Sequence, residues 1–154
     1  MSEARRAKFR QGLHHLYLPI YDALCAELPE DWQPFWGVRT FDEQAQIYAQ
    51  GRTLPGAIVT DAEAGESPHN YGCASDWTLF VDKKPLWIAL NDSRWAAYQH
   101  ACANVGARWG GQFKHQDRYH NELPINVRWA EIGENYKSKG LNAALTMIER
   151  STAV

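Results

Sequence analysis

The sequence has 154 residues, of which 45% are hydrophobic and 22% charged, with a formal net charge of −2. A chain of this length buries about two-thirds of the surface its unfolded form exposes, enough for one self-supporting domain, and such a composition excludes intrinsic disorder. Apart from Arg5, Arg6, Lys8 and Arg10 the basic residues are scattered, so no basic face exists for nucleic acid, and no apolar run is long enough to insert in a bilayer.

The N-terminal cations precede "QGLHHLYLPIY", which is broken by histidines and proline and lacks the apolar core of a signal peptide. The expectation is a protein held in the cytoplasm until something releases it. Cys25, Cys73 and Cys102 match no CxxC or zinc-knuckle spacing and read as reduced, buried small hydrophobes.

In chain order, Phe9, Leu13, Leu16, Tyr17, Ile20, Leu24 and Leu28 recur at helical spacing and predict one or two helices over the first thirty residues, interrupted near Pro19. Thr40 and Glu43 form an S/T-x-x-E signature before "FDEQAQIYAQ", with Gly51 at the stop position, predicting a short capped helix with Arg39 just ahead of it. Residues 52–72, rich in Gly, Pro, Ser and Asp, read as a long loop with at most one brief strand at Ala57 to Val59; loops of this length are often functional.

"CASDWTLFV", Cys73 to Val81, reads as a strand buried on both faces, with Asp76 inside it. Asn91 to Gly106 predicts a helix with Trp95, Tyr98, Cys102 and Val105 on one stripe. "ARWGGQF" and "YHNEL" predict two short strands joined by the polar turn "KHQD", and residues 127–150 carry helical patterns broken near Gly140. The fold class predicted is α+β, with a small, mainly antiparallel sheet flanked by helices.

The stretch "SPHNYGCASDW", residues 67–77, places His69 and Asp76 seven positions apart. Two ligands of one metal ion need donor atoms within roughly 4 Å, whereas seven residues of extended strand span about 23 Å. A shared ion therefore requires the chain to double back, and Pro68, Asn70 and Gly72 are residue types that permit it. Among the other histidines, His14 and His15 fall in the N-terminal helix pattern and His100 in the second helix. His115 and His120 flank the polar turn. Of these, His120 is the better third ligand, because Asp117 lies three residues before it and could serve a water as general base.

Together, Ser67, His69, Gly72, Ala74 and Asp76, in the form S-x-H-x-x-G-x-A-x-D, followed by Asp117 and His120 as D-x-x-H, resemble the zinc peptidases related to D-Ala-D-Ala carboxypeptidases and hedgehog-type domains. The wider run "VRTFDEQAQIYAQGRTLPGAIVTDAEAGESPHNYGCASD" is similar to the L-alanyl-D-glutamate endopeptidase branch, which includes phage endolysins and bacterial cell-wall peptidases. The resemblance covers about residues 35–123 within a single domain of residues 1–154. It implies a hedgehog-like and D-Ala-D-Ala-peptidase-like fold and one Zn2+ per chain, with His69, Asp76 and His120 as ligands and Asp117 as catalytic acid/base. By the same resemblance Arg39 faces the substrate, holding a peptide carboxylate or the oxyanion. Ser67 either caps a turn or touches substrate. Two positions depart from the pattern, Asn121 where an aromatic residue is common and Phe113 where a tryptophan is, and both bear on the shape of the cleft.

What this implies is a monomeric peptidoglycan peptidase that cuts the stem peptide between L-alanine and D-glutamate and serves as a phage lysis enzyme. The rivals are a D-Ala-D-Ala carboxypeptidase on the same scaffold and a non-catalytic, zinc-stabilised wall-binding domain.

Overall fold

The computed structural model describes residues 2–152. Two compact units are built from interleaved segments, Met1–Val38 with Gly72–Pro124 and Arg39–Tyr71 with Ile125–Val154.

The first unit holds the sheet. Its strands are β1 (Trp32–Trp36), β2 (Ala74–Val81), β3 (Lys84–Leu86), β4 (Arg108–Trp109) and β5 (His120–Glu122). The order is β1-β2-β5-β4, with β3 also paired to β2, and every pairing is antiparallel. Six consecutive residues of β2, Ala74 to Leu79, are buried, as its unbroken apolar and aromatic character requires of a central strand. β2 and β3 form a hairpin through Asp82 and Lys83, both at positive φ (48° and 67°), the backbone a two-residue type I′ turn needs.

Three helices of this unit are α1 (Ser2–Arg10), α2 (Leu18–Glu27) and α4 (Trp95–Val105). The predicted N-terminal interruption falls at residues 11–17. Pro19 lies in the first turn of α2, where its missing N–H costs nothing because that donor has no intrahelical partner. The helix predicted from Asn91 begins at Trp95, because Asp92 Oδ1 accepts from the Arg94 N–H at 2.9 Å and turns the chain first. Gly106 ends it in the left-handed conformation, φ 75°.

The core of this unit joins Tyr17, Tyr21, Leu24, Trp32, Trp77, Trp95, Tyr98 and Cys102, all at most 2% exposed. Trp32 stacks on Tyr98 with ring centroids 5.3 Å apart. Burial pushes the Cys102 thiol up to about 12, so it stays protonated. Cys73 is buried as expected, whereas Cys25 is only half-buried.

The second unit contains α3 (Phe41–Ala49), α5 (Trp129–Lys139) and α6 (Leu141–Arg150). Thr40 caps α3 by accepting from the Glu43 N–H at 3.0 Å, and Gly140 separates α5 from α6 at φ 92°. Phe41 stacks on Tyr136 with centroids 4.4 Å apart, and Tyr71 stacks on Trp129. No strand forms at Ala57 to Val59, where Ile58 and Val59 are 57% and 59% exposed. Residues 68–71 form instead a buried 3-10 turn.

The turn hands over to β2 at Gly72, whose φ is +70°. A Cβ there would sit 2.7 Å from the Gly12 carbonyl oxygen and 2.8 Å from the His14 nitrogen. Both the backbone conformation and the close approach demand glycine. Gly72→Ala is expected to lose about 2 kcal/mol or more of stability, read as a lower urea midpoint at unchanged m-value; an unchanged midpoint would contradict this account.

Candidate functional site

In the sheet unit, pairing of β2 with β5 sets Asp76 opposite His120, Ser75 opposite Asn121 and Ala74 opposite Glu122. Alternation along a strand then sends His120 and Glu122 to one face and Asn121 to the other. On the first face, His120 Nδ1 lies 3.1 Å from Asp76 Oδ1 and Nε2 lies 2.7 Å from Glu122 Oε2. Asp76 and His120 are each 8% exposed and Glu122 is 4% exposed. Burial by itself would depress the His120 pKa, but the hydrogen bonds to Asp76 and Glu122, with their charges, outweigh it and raise it to about 10.

On the opposite face Asn121, fully buried, completes a polar network in the core. Its Oδ1 accepts from Tyr17 Oη at 2.5 Å, and its Nδ2 donates to the Ser75 carbonyl at 3.0 Å and to Tyr98 Oη at 2.8 Å. The Ser75 hydroxyl also receives Trp77 Nε1 at 2.7 Å. The expectation that Asn121 shapes the cleft is therefore corrected, because its side chain serves the core face of β5. Phe113 does lie on the site side, its ring centroid 5.9 Å from that of His120.

Asp117 sits on the exposed turn before β5. Its N–H donates to the Gly110 carbonyl at 2.9 Å, and its own carbonyl accepts from the His120 N–H at 3.2 Å. Gly110 permits this closure, since a Cβ there would fall 2.4 Å from the Asp117 carbonyl oxygen. His115, the weaker candidate ligand, is exposed in the same turn.

In the second unit, the loop end is pinned by its own polar groups. Asn70 Oδ1 accepts from the Gly65 N–H at 2.9 Å, Asn70 Nδ2 donates to the Arg39 carbonyl at 3.0 Å, and Tyr71 Oη donates to the Gly65 carbonyl at 2.7 Å. The Arg39 N–H donates to the His69 carbonyl at 3.0 Å, which brings the two residues side by side although thirty positions separate them. Ser67 is buried, and its Oγ accepts from the His69 N–H at 3.3 Å, the turn-capping one of its two expected roles.

Gln44, which sequence reasoning passed over, is fully buried. It accepts from Arg39 Nη1 at 3.0 Å and donates to the Ala62 carbonyl at 2.7 Å, so it orients the guanidinium from a fixed point on the loop. A polar residue in the middle of a polar helix carries no signal of burial; Glu122 had one, its even spacing from His120 on a strand.

His69 in its unit, and Asp76 and His120 in the sheet unit, are all buried, and each offers a group able to ligate a metal ion. Two imidazoles and one carboxylate are the donor types of a three-ligand zinc site with an open position. Tetrahedral bonds of about 2.1 Å imply donors roughly 3.4 Å apart, and the Asp76–His120 separation of 3.1 Å is close to that. The residues fit a metal ion.

Comparison with known proteins agrees with the motifs. Residues 60–123 match the model of a family described as D-alanyl-D-alanine carboxypeptidase; the match includes Ser67, His69, Asp76, Asp117 and His120 but not Arg39. The chain is 40% identical over 98 residues to a peptidoglycan L-alanyl-D-glutamate endopeptidase of Bacillus subtilis (strain 168), a match covering 58% of this chain and 59% of that protein. Among solved structures it is similar to the L-Ala D-Glu endopeptidase ChiX of Serratia marcescens, with a TM-score of 0.56 at 20% identity, covering 79% of this chain and 87% of that one. The α+β class is borne out by that fold likeness, and the motif resemblance by the sequence matches.

Because Asn121 answers to the core, Asn121→Ala should lower stability by about 3 kcal/mol, through the loss of its hydrogen bonds to Tyr17, Tyr98 and the Ser75 carbonyl at about 1 kcal/mol each. Chemical denaturation checks the loss; a change under about 0.5 kcal/mol would mean that the network is not the account of this residue.

Proposed function

We propose that this chain is a zinc-dependent peptidase that cleaves the stem peptide of peptidoglycan between L-alanine and D-glutamate. The observation that carries the reading is the buried Asp76 carboxylate 3.1 Å from the His120 imidazole, with the exposed carboxylate residue Asp117 on the turn leading into His120; His69 joins them by the motif resemblance. The similarity to the Bacillus endopeptidase supports the choice of bond.

In this reading His69, Asp76 and His120 hold the ion. Zinc, when bound, polarises the scissile carbonyl and makes a neighbouring water more acidic near neutral pH. Asp117 takes the proton as that water attacks the carbonyl carbon, then delivers it to the departing amine as the C–N bond breaks. Arg39, oriented by Gln44, meets either a peptide carboxylate or the charge growing on the carbonyl oxygen. Ser67 caps the turn at His69, and contact with substrate stays its second proposed role.

Asp117→Asn is expected to keep the fold and one zinc ion while losing cleavage by roughly 10²–10⁴-fold. Mass spectrometry of digested, purified peptidoglycan is the measurement. Intact protein should release peptides beginning with D-glutamate. Free D-alanine with intact L-Ala–D-Glu bonds would replace the endopeptidase reading by the carboxypeptidase one, which the description of the matching family favours. Undiminished cleavage by Asp117→Asn would remove Asp117 from the chemistry.

The biological part of the proposal is that of a phage lysis enzyme, held in a bacterial cytoplasm as a monomer until it reaches the wall. It rests on the likeness of "YAQGRTLPGAIVT" to the L-alanyl-D-glutamate endopeptidase branch, which holds phage endolysins as well as bacterial cell-wall peptidases. Expression in a Gram-negative host should leave cells intact until the inner membrane is permeabilised and then lyse them. Survival after permeabilisation would count against this role.

A further inference from the structure

We propose that Glu122 is a positioning residue of the metal site: it holds the Nε2–H of His120, so that Nδ1, on the Asp76 side, is the ring nitrogen that binds the ion. This rests on the reading of His69, Asp76 and His120 as metal ligands. It goes beyond that reading by assigning the donor atom and the residue that selects it.

A neutral imidazole donates from one nitrogen and offers a lone pair at the other, and the hydrogen bond at one nitrogen decides which is which. His120 has a carboxylate at each end, Asp76 at 3.1 Å from Nδ1 and Glu122 at 2.7 Å from Nε2. The two carboxylates are not equivalent. Asp76 is, with His120, one of the proposed ligands, and among the described residues no group able to hold a metal includes Glu122. An ion bound by Asp76 and His120 therefore lies on the Nδ1 side, and the Nε2 side keeps its proton for Glu122.

Arg108 and the strand pairing hold the Glu122 carboxylate in place beside the ring. Its Oε1 faces Arg108 Nη1 at 3.5 Å, across the β4–β5 pairing in which Arg108 stands opposite Glu122. Its backbone is in β5, which is paired on both sides. Strand alternation supplies the reach, since residues two apart lie on one face about 7 Å apart. A carboxylate that fixes the ring and makes the ligating nitrogen a better electron donor is the usual partner of a metal-bound histidine, and its loss costs roughly 10–100-fold in metal affinity.

The test uses the full chain, stripped of metal and titrated with Zn2+ against a competing chelator, as intact protein, Glu122→Gln and Glu122→Ala. Thermal unfolding of each metal-free protein is recorded in parallel. One zinc per chain is expected for the intact protein, with affinity about 10–100-fold weaker in Glu122→Ala and an intermediate loss in Glu122→Gln, whose amide oxygen still accepts from Nε2–H. Long-range 1H–15N correlation spectra of the zinc-loaded intact protein should show His120 protonated at Nε2 and metal-bound at Nδ1. Metal bound at Nε2 would overturn the proposal, and so would affinities of both variants within twofold of the intact protein, even with a lowered melting temperature, since that is the mark of a purely structural carboxylate. If Glu122→Ala does not fold, Glu122→Gln, nearly the same shape, decides between these outcomes. Failure of the intact protein to bind zinc would instead sink the metal-site reading itself, and this proposal with it.

Discussion

The register between β2 and β5 is the constraint on which the sheet unit depends. Pairing Asp76 with His120 puts a carboxylate and an imidazole on one face, and the same pairing puts Ser75 beside Asn121 on the other. A slip by one residue would exchange the faces of every side chain on β5. His120 and Glu122 would then lie among Tyr17, Trp77 and Tyr98, and Asn121 would leave its network. Both errors bury unpaired polar groups, which costs about 1–3 kcal/mol each, so the chemistry of the site and the packing of the core select the same register.

The two sides of β5 use polarity differently. On the core face every polar atom named has a neutral partner, and burial holds the Tyr17 and Tyr98 hydroxyls well above the usual phenol range, so they act as permanent hydrogen-bonding groups. The other face concentrates charge: Asp76, His120, Glu122 and Arg108 follow one another through bonds of 3.1, 2.7 and 3.5 Å. Buried charge of this kind is poor evidence of stability and better evidence of a task.

Much of this was legible in the sequence because the chemistry is local. His69 and Asp76 share one turn and strand, Asp117 and His120 share another, and the residue types that bend the chain, Pro68, Asn70 and Gly72, stand between the first pair. β1 and β3 were not foreseen: β1 carries Pro34 and an irregular register between Pro34 and Trp36, and β3 is three residues long with two exposed, so neither shows a period. Asn121 was tied to the cleft only by its departure from the aromatic residue common at that position, and strand alternation turns its side chain to the core instead. Gln44 was missed because its burial comes from contacts distant in sequence, with Arg39 on one side and Ala62 on the other.

The long loop has two halves held by different means. From Ala62 to Tyr71 it is fastened by Gln44, Asn70, Tyr71 and Ser67, so the backbone at His69 is fixed by bonds within that stretch and to Arg39. Residues 52–61 are tied to the end of α3, through Gln50 to the Ala57 carbonyl and Arg52 to the Thr60 carbonyl. Lengthening an exposed loop costs little, about 0.6 kcal/mol per doubling, and here the added residues would enter ahead of the fastened half. The segment is thus a place where descendants of this chain can gain or lose residues, and try new surfaces, while the histidine downstream keeps its position.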